Sequence, residues 1–265
     1  MDAHPPHDPL RLRSAGFGFA IVLILATVAG GGCSTAPVSL KLAPELAGVV
    51  PTPVGGRSGN GVRGKLAFDR WSAAATIREN DDRATSHGDF LGTSAKEEVS
   101  VDIKRTGFEF DLRSNGAVPS MTQGRCVAAG RYGTRTAHRG RTTDETSITL
   151  PGYPRLDCEF AGAQSGRLAV RPTFATQRDL GSVQFAGHLW GIRSVNNLES
   201  QRTGFPLTRF GYEFRDGGRV VAAVETWGPG RVWMDPTLQP QDQEELSVAM
   251  TALLYYGSLL EVEDT

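Results

Sequence analysis

The chain has 265 residues, with 28 Lys or Arg against 29 Asp or Glu and a formal net charge of −1. This balance speaks against a nucleic-acid partner, because domains that neutralise phosphate backbones carry a marked basic excess. The length suffices for one sizeable core or two small ones.

Residues 1 to 16 are polar and carry Arg11 and Arg13, and the run Phe17 to Ala29 that follows has no charge. This is the layout of a signal peptide, a basic segment ahead of a short apolar one. About 13 residues of helix reach only ~20 Å, short of the ~30 Å hydrocarbon core, so a permanent transmembrane span is the weaker reading. The run ends in Ala29-Gly30-Gly31-Gly32-Cys33-Ser34, which resembles the lipobox of bacterial lipoproteins. Gly32 and Cys33 match that pattern, whereas Gly30 stands where the family has an aliphatic residue. The resemblance implies cleavage before Cys33, acylation of that cysteine and anchoring to a membrane through its acyl chains. Ser34, in place of the Asp of enteric inner-membrane lipoproteins, implies the outer membrane over the inner.

Residues 33 to 63 are rich in Pro, Gly, Ser, Ala and Val without periodicity and are expected to form a flexible tether. A single β-rich domain is expected from Gly64 to the C-terminus. There the dominant period is two, the spacing of a half-buried strand. Leu66 and Phe68, then Ala73, Ala75 and Ile77, alternate with polar or small residues. Val99, Val101 and Ile103 do the same, and so do Phe108, Phe110 and Leu112, with Arg105-Thr106-Gly107 between them read as a hairpin turn. A second turn is expected at Asn115-Gly116.

With Cys33 assigned to the lipid, Cys126 and Cys158 remain as a pair in an exported chain, and a disulfide is the expected state. Closing a loop of about 30 residues stabilises by roughly 3.5 kcal/mol in the chain-entropy account. Arg125, next to the first cysteine, and Arg131, Arg135, Arg139 and Arg141 with His138 in the segment the two cysteines bracket concentrate positive charge. The segment reads as an Arg-rich loop and a candidate anion-binding site, because guanidinium groups grip phosphates of lipid headgroups or lipopolysaccharide bidentately. The competing reading is a solvated loop offset by Asp144, Glu145, Asp157 and Glu159.

Further short strands are expected at 167–170, 183–192, 209–214, 220–225 and 231–234, with turns at Asp216-Gly217-Gly218 and Gly228-Pro229-Gly230. Strands at this spacing imply an antiparallel barrel or sandwich. One helix is expected to start at Pro240 and Asp242 and to run to Gly257. Leu246, Ala249, Met250, Leu253 and Leu254 form an apolar stripe, and with Val248, Ala252, Tyr255 and Tyr256 added the last two turns are apolar almost all round, so the helix is buried on most sides. Leu259, Leu260 and Val262 read as a last strand.

Residues 212 to 262, with paired strands, a polar turn, a hydrophobic helix and a Leu-rich end, resemble the C-terminal end of the tubby and phospholipid-scramblase superfamily. That resemblance implies a helix threading a closed antiparallel barrel; a helix on the outside of an open sandwich is the alternative. The phosphoinositide-binding residues of tubby-like domains find no match in this chain.

No catalytic constellation stands out. Gly59, Gly61 and Gly64 satisfy GxGxxG, but no helix follows to supply a dipole. The histidines beyond the signal segment, His87, His138 and His188, have no neighbour at metal-pair spacing, so no metal and no other cofactor is expected. His87 and Asp89 beside Ser86 are the nearest approach to a hydrolase cluster, within a polar stretch that reads as a solvated loop. Trp190, Trp227, Trp233, Phe210, Tyr212 and Phe214 read as core, or as the lining of an apolar cavity. The functional expectation is a lipid-anchored envelope protein with a non-enzymatic binding or structural role, whose partner is a lipid headgroup, lipopolysaccharide or another envelope protein. The alternatives are an amphiphile carrier with a barrel cavity and, less favoured, an envelope hydrolase.

Overall fold

The computed structural model describes residues 40–57, 64–85, 96–116, 118–139, 142–173, 178–198 and 210–261. For segments 79–85, 96–104, 130–139 and 142–154 it is the backbone pairing that is described. Twelve strands form one antiparallel sheet: β1 (Thr52–Pro53), β2 (Lys65–Phe68), β3 (Trp71–Thr85), β4 (Lys96–Ser114), β5 (Ser120–Arg139), β6 (Thr142–Gly162), β7 (Gly166–Thr173), β8 (Arg178–Phe185), β9 (His188–Val195), β10 (Gly211–Asp216), β11 (Arg219–Glu225) and β12 (Arg231–Met234). Strands β2 to β12 pair in chain order, and β1 adds to β12. Gly55, just past β1, exchanges two backbone hydrogen bonds with Ala67 of β2, at 2.7 and 3.0 Å. This bridge brings the two ends of the sheet together, so the expected β fold is a nearly closed barrel.

The helix α1 (Pro240–Glu261) fills the interior. Leu246, Ala249, Met250, Leu253, Leu254, Tyr255 and Tyr256 are buried, and so are Ser247 and Thr251 on the remaining face. A helix apolar all round finds partners on every side only inside a sheet closed upon itself. Inward residues of the wall complete one core with it: Phe108, Phe110, Phe160, Phe185, Trp190 and Phe214. The Tyr255 ring lies 6.0 Å from Phe108 and 5.8 Å from Phe110, and its hydroxyl donates to the Gly64 carbonyl at 3.1 Å. Burial pushes the Tyr255 phenol well above its ordinary pKa, so it stays protonated as that donor.

Several expectations are corrected. The tether does not extend to residue 63: Leu40 and Leu46 are fully buried against Phe210, Val220, Ala223 and Trp233 on the outer face of β10 to β12, and residues 52–55 complete the barrel. Arg105-Thr106-Gly107 is no turn, since β4 pairs with β5 in one unbroken register from Lys96↔His138 to Ser114↔Ser120. The Arg-rich loop is a hairpin of two long strands, β5 and β6. Register shifts opposite Ala129, Arg131 and Gly133 take up extra residues of β6 around Pro151 and Pro154, where a proline cannot donate to the ladder. The span 183–192 is two strands joined at Ala186-Gly187, where Gly187 has a φ of +111°. Leu259 and Leu260 belong to α1 rather than to a strand. Gly257 does not stop the helix; it lets the helix pass Thr226, whose Cβ would lie 2.5 Å from a Cβ at 257.

Candidate functional site

The polar first turns of α1 meet the rim of the barrel residue by residue. Arg70, between β2 and β3, donates to Gln243 Oε1 at 3.1 Å, and Ser120 at the start of β5 donates to Glu244. On the same rim the hairpin β8–β9 delivers His188 and Trp190, two apart on one strand and hence on one face. The Trp190 indole is fully buried and donates from Nε1 to Glu245 Oε2 at 3.1 Å. The His188 ring stacks on that indole, with 3.7 Å between centroids and 19° between planes.

The imidazole lies between two carboxylates. Its Nδ1 is 3.6 Å from Asp242 Oδ1 and its Nε2 is 3.6 Å from Asp216 Oδ1, at the β10–β11 turn. Glu245 is buried at 2% exposure, and its other oxygen accepts from Gln241 Nε2 at 3.2 Å. One ligand atom from each of His188, Asp242 and Glu245 lies within 4.8 Å of the others. An imidazole nitrogen and two carboxylates can hold a divalent cation, or the carboxylates can clamp a protonated imidazole.

Among the described residues, Glu245 stands apart from the other buried carboxylates in its charge partners. The other buried carboxylates among the described residues each have an arginine: Glu213 has Arg215 at 3.3 Å, Glu225 has Arg231 through two bonds at 2.6 and 2.9 Å, and Asp235 has Arg219. Glu245 has none among the described residues, and neither have Asp216 and Asp242.

A second concavity, of about 520 Å³, lies on the outer wall over Gly107. Its walls carry Arg78, Arg125 and Arg167 beside Glu109, Asp157 and Glu159. Arg125 faces Glu109 across β4–β5 at 3.6 Å, Arg78 approaches the same carboxylate at 4.0 Å, and Arg167 lies 3.8 Å from Glu159. Charges so exposed and mutually cancelling hold one another loosely.

Cys126 and Cys158 stand directly opposite on β5 and β6, buried in the barrel core, and form a disulfide with Cα atoms 4.1 Å apart. Arg131 and Arg135 pair on β5 with Gly152 and Thr146, Arg139 pairs with Thr142, and all three share the odd register of Arg125. His138 pairs with Thr143 on the same hairpin. Cys33, Arg141, His87 and Asp89 lie outside the described residues. Of the six aromatic residues expected in the core five are buried, and Trp227 is 43% exposed, edge-on to Phe210 at 5.7 Å. Sequence reasoning missed the cluster of His188, Asp216, Asp242 and Glu245, which the fold assembles from three distant segments.

Comparison with protein families, with curated proteins and with solved structures finds no match to this chain. The likeness of residues 212 to 262 to the tubby and scramblase superfamily therefore stands on pattern, and no residue role is carried over from it.

Proposed function

We propose that the protein is a bacterial envelope lipoprotein, anchored through acyl chains on Cys33, with the outer membrane favoured over the inner. Its barrel serves as a binding or structural body rather than a catalyst. The observation that carries this reading is the Cys126–Cys158 disulfide, buried between neighbouring strands of the core. Such a bond suits a chain that folds in an oxidising compartment, which is where the signal-like run and the Gly32-Cys33 pattern would send it. No helix among the described residues is long and apolar enough to cross a membrane; the anchor in this reading is the lipid on Cys33. Two or more acyl chains, at ~0.8 kcal/mol per buried CH₂, make release from the bilayer negligible.

The helix filling the barrel favours recognition on the outside of the wall over the carrier alternative, because an amphiphile inside would have to displace residues Leu246 to Tyr256. The surface to examine is the β5–β6 hairpin, where Arg125, Arg131, Arg135 and Arg139 hold odd register positions of β5, a set of guanidinium groups that suits headgroup or lipopolysaccharide phosphates or an acidic face of another envelope protein. The test is to label cells with a clickable fatty acid while expressing the full chain or Cys33→Ser. The wild type is expected to carry label in the membrane fraction and the variant to carry none. Equal labelling, or an unlabelled wild type, contradicts the anchor.

A further inference from the structure

We propose that His188, Asp242 and Glu245 form a binding site for a divalent transition-metal ion, with Asp216 orienting the imidazole. The inference goes beyond the envelope reading and does not depend on it. Ligand atoms on a four-coordinate ion with bonds of ~2.0–2.1 Å stand about 3.4 Å apart. The 3.6 Å between His188 Nδ1 and Asp242 Oδ1 is close to that spacing, and a Glu245 oxygen completes the set with all three ligand atoms within 4.8 Å of one another. The surroundings are those of a metal-binding histidine, whose remaining ring nitrogen ordinarily faces a carboxylate. Here Nε2 faces Asp216 at 3.6 Å, and Trp190 and Gln241 hold the two oxygens of Glu245 in place. Trp190 also fixes the plane of the imidazole by stacking.

Charge argues in the same direction. Of the three carboxylates around the imidazole, Glu245 is buried with no lysine or arginine paired to it among the described residues, whereas the buried Glu213, Glu225 and Asp235 each have an arginine; the Asp242 and Asp216 side chains are 23% and 56% exposed and likewise lack one. The N-terminus of α1 contributes about half a positive charge, too little to offset three. A divalent cation supplies what is missing. The mix of one imidazole nitrogen with carboxylate oxygens suits zinc or a neighbouring first-row ion, with water completing the coordination.

The test is calorimetric titration of zinc chloride into the untagged, chelator-stripped full chain in detergent, alongside His188→Ala, Asp242→Asn and Asp216→Asn. One equivalent is expected to bind the wild type. Affinity is expected to fall at least 100-fold in His188→Ala and Asp242→Asn and roughly 10-fold in Asp216→Asn. Far-UV circular dichroism checks folding, and if His188→Ala fails to fold, Asp242→Asn carries the test. Absence of zinc binding by the folded wild type overturns the proposal. Binding that Asp242→Asn leaves unchanged also overturns it, by placing the ion elsewhere.

Discussion

Gly257 sets two physical effects against each other. Intrinsic propensity favours alanine over glycine within a helix by ~1 kcal/mol. Packing opposes it, because a Cβ at 257 would lie 2.5 Å from the Cβ of Thr226 and 3.1 Å from its carbonyl oxygen, in a wall with little room to retreat. Gly257→Ala is therefore expected to destabilise, by about 1–3 kcal/mol in urea unfolding, the opposite sign to the propensity expectation. Asp235 gives a prediction in pH. Its carboxylate accepts from the Thr237 hydroxyl at 2.6 Å and the Thr237 backbone at 2.8 Å and pairs with Arg219. Thr237 first and Arg219 after it hold the Asp235 pKa below its ordinary 3.8. A depressed folded pKa gives stability that is fully present above the ordinary value and lost as pH falls through the lowered one. Asp235→Ala is expected to cost about 1–2 kcal/mol at neutral pH, and melting curves of variant and wild type should converge below pH 3.8. A gap independent of pH would show that the carboxylate's charge is not what stabilises.

At the scale of elements, what was legible and what was not have definite causes. The helix announced itself because Val248, Ala252, Tyr255 and Tyr256 leave it no polar side, and the wall strands announced themselves through alternations such as Phe108, Phe110 and Leu112. The long strand β4 read as two because its apolar positions change parity, from 99, 101 and 103 to 108, 110 and 112, as if a turn intervened; the pairing with β5 continues through the change. Strand β6 was hidden by Pro151 and Pro154, which normally interrupt a ladder and here lie where its register shifts. The run Val220 to Val224 is apolar without alternation because β11 is covered on both faces, by α1 inside and by the segment containing Leu40 and Leu46 outside. That cover was illegible: nothing in residues 40–49 has a periodicity that signals a partner. Leu46→Ala is expected to destabilise by about 2–5 kcal/mol in denaturant unfolding, as for a core residue, where a change in a free tether would have no effect. The metal-capable cluster was equally hidden, since 55 residues separate Trp190 from Glu245 and no local motif connects them.

The described residues from 40 to 261 form a nearly closed barrel, bridged at Gly55 and Ala67 and filled by α1, with Leu40 and Leu46 packed in a second cluster on its outer face. A covalent bond between β5 and β6, the two longest strands, staples the wall where both are still flanked, Cys126 by Phe108 of β4 and Cys158 by Leu168 of β7. The intact mass of the protein from membrane extract, measured with and without reduction before alkylation, tests the central claim of an exported, acylated and stapled barrel most directly. The account predicts a chain beginning at Cys33 with added acyl mass, and two alkylated thiols that appear only after reduction. A chain that retains its first 32 residues, or one whose Cys126 and Cys158 are alkylated without reduction, would contradict it.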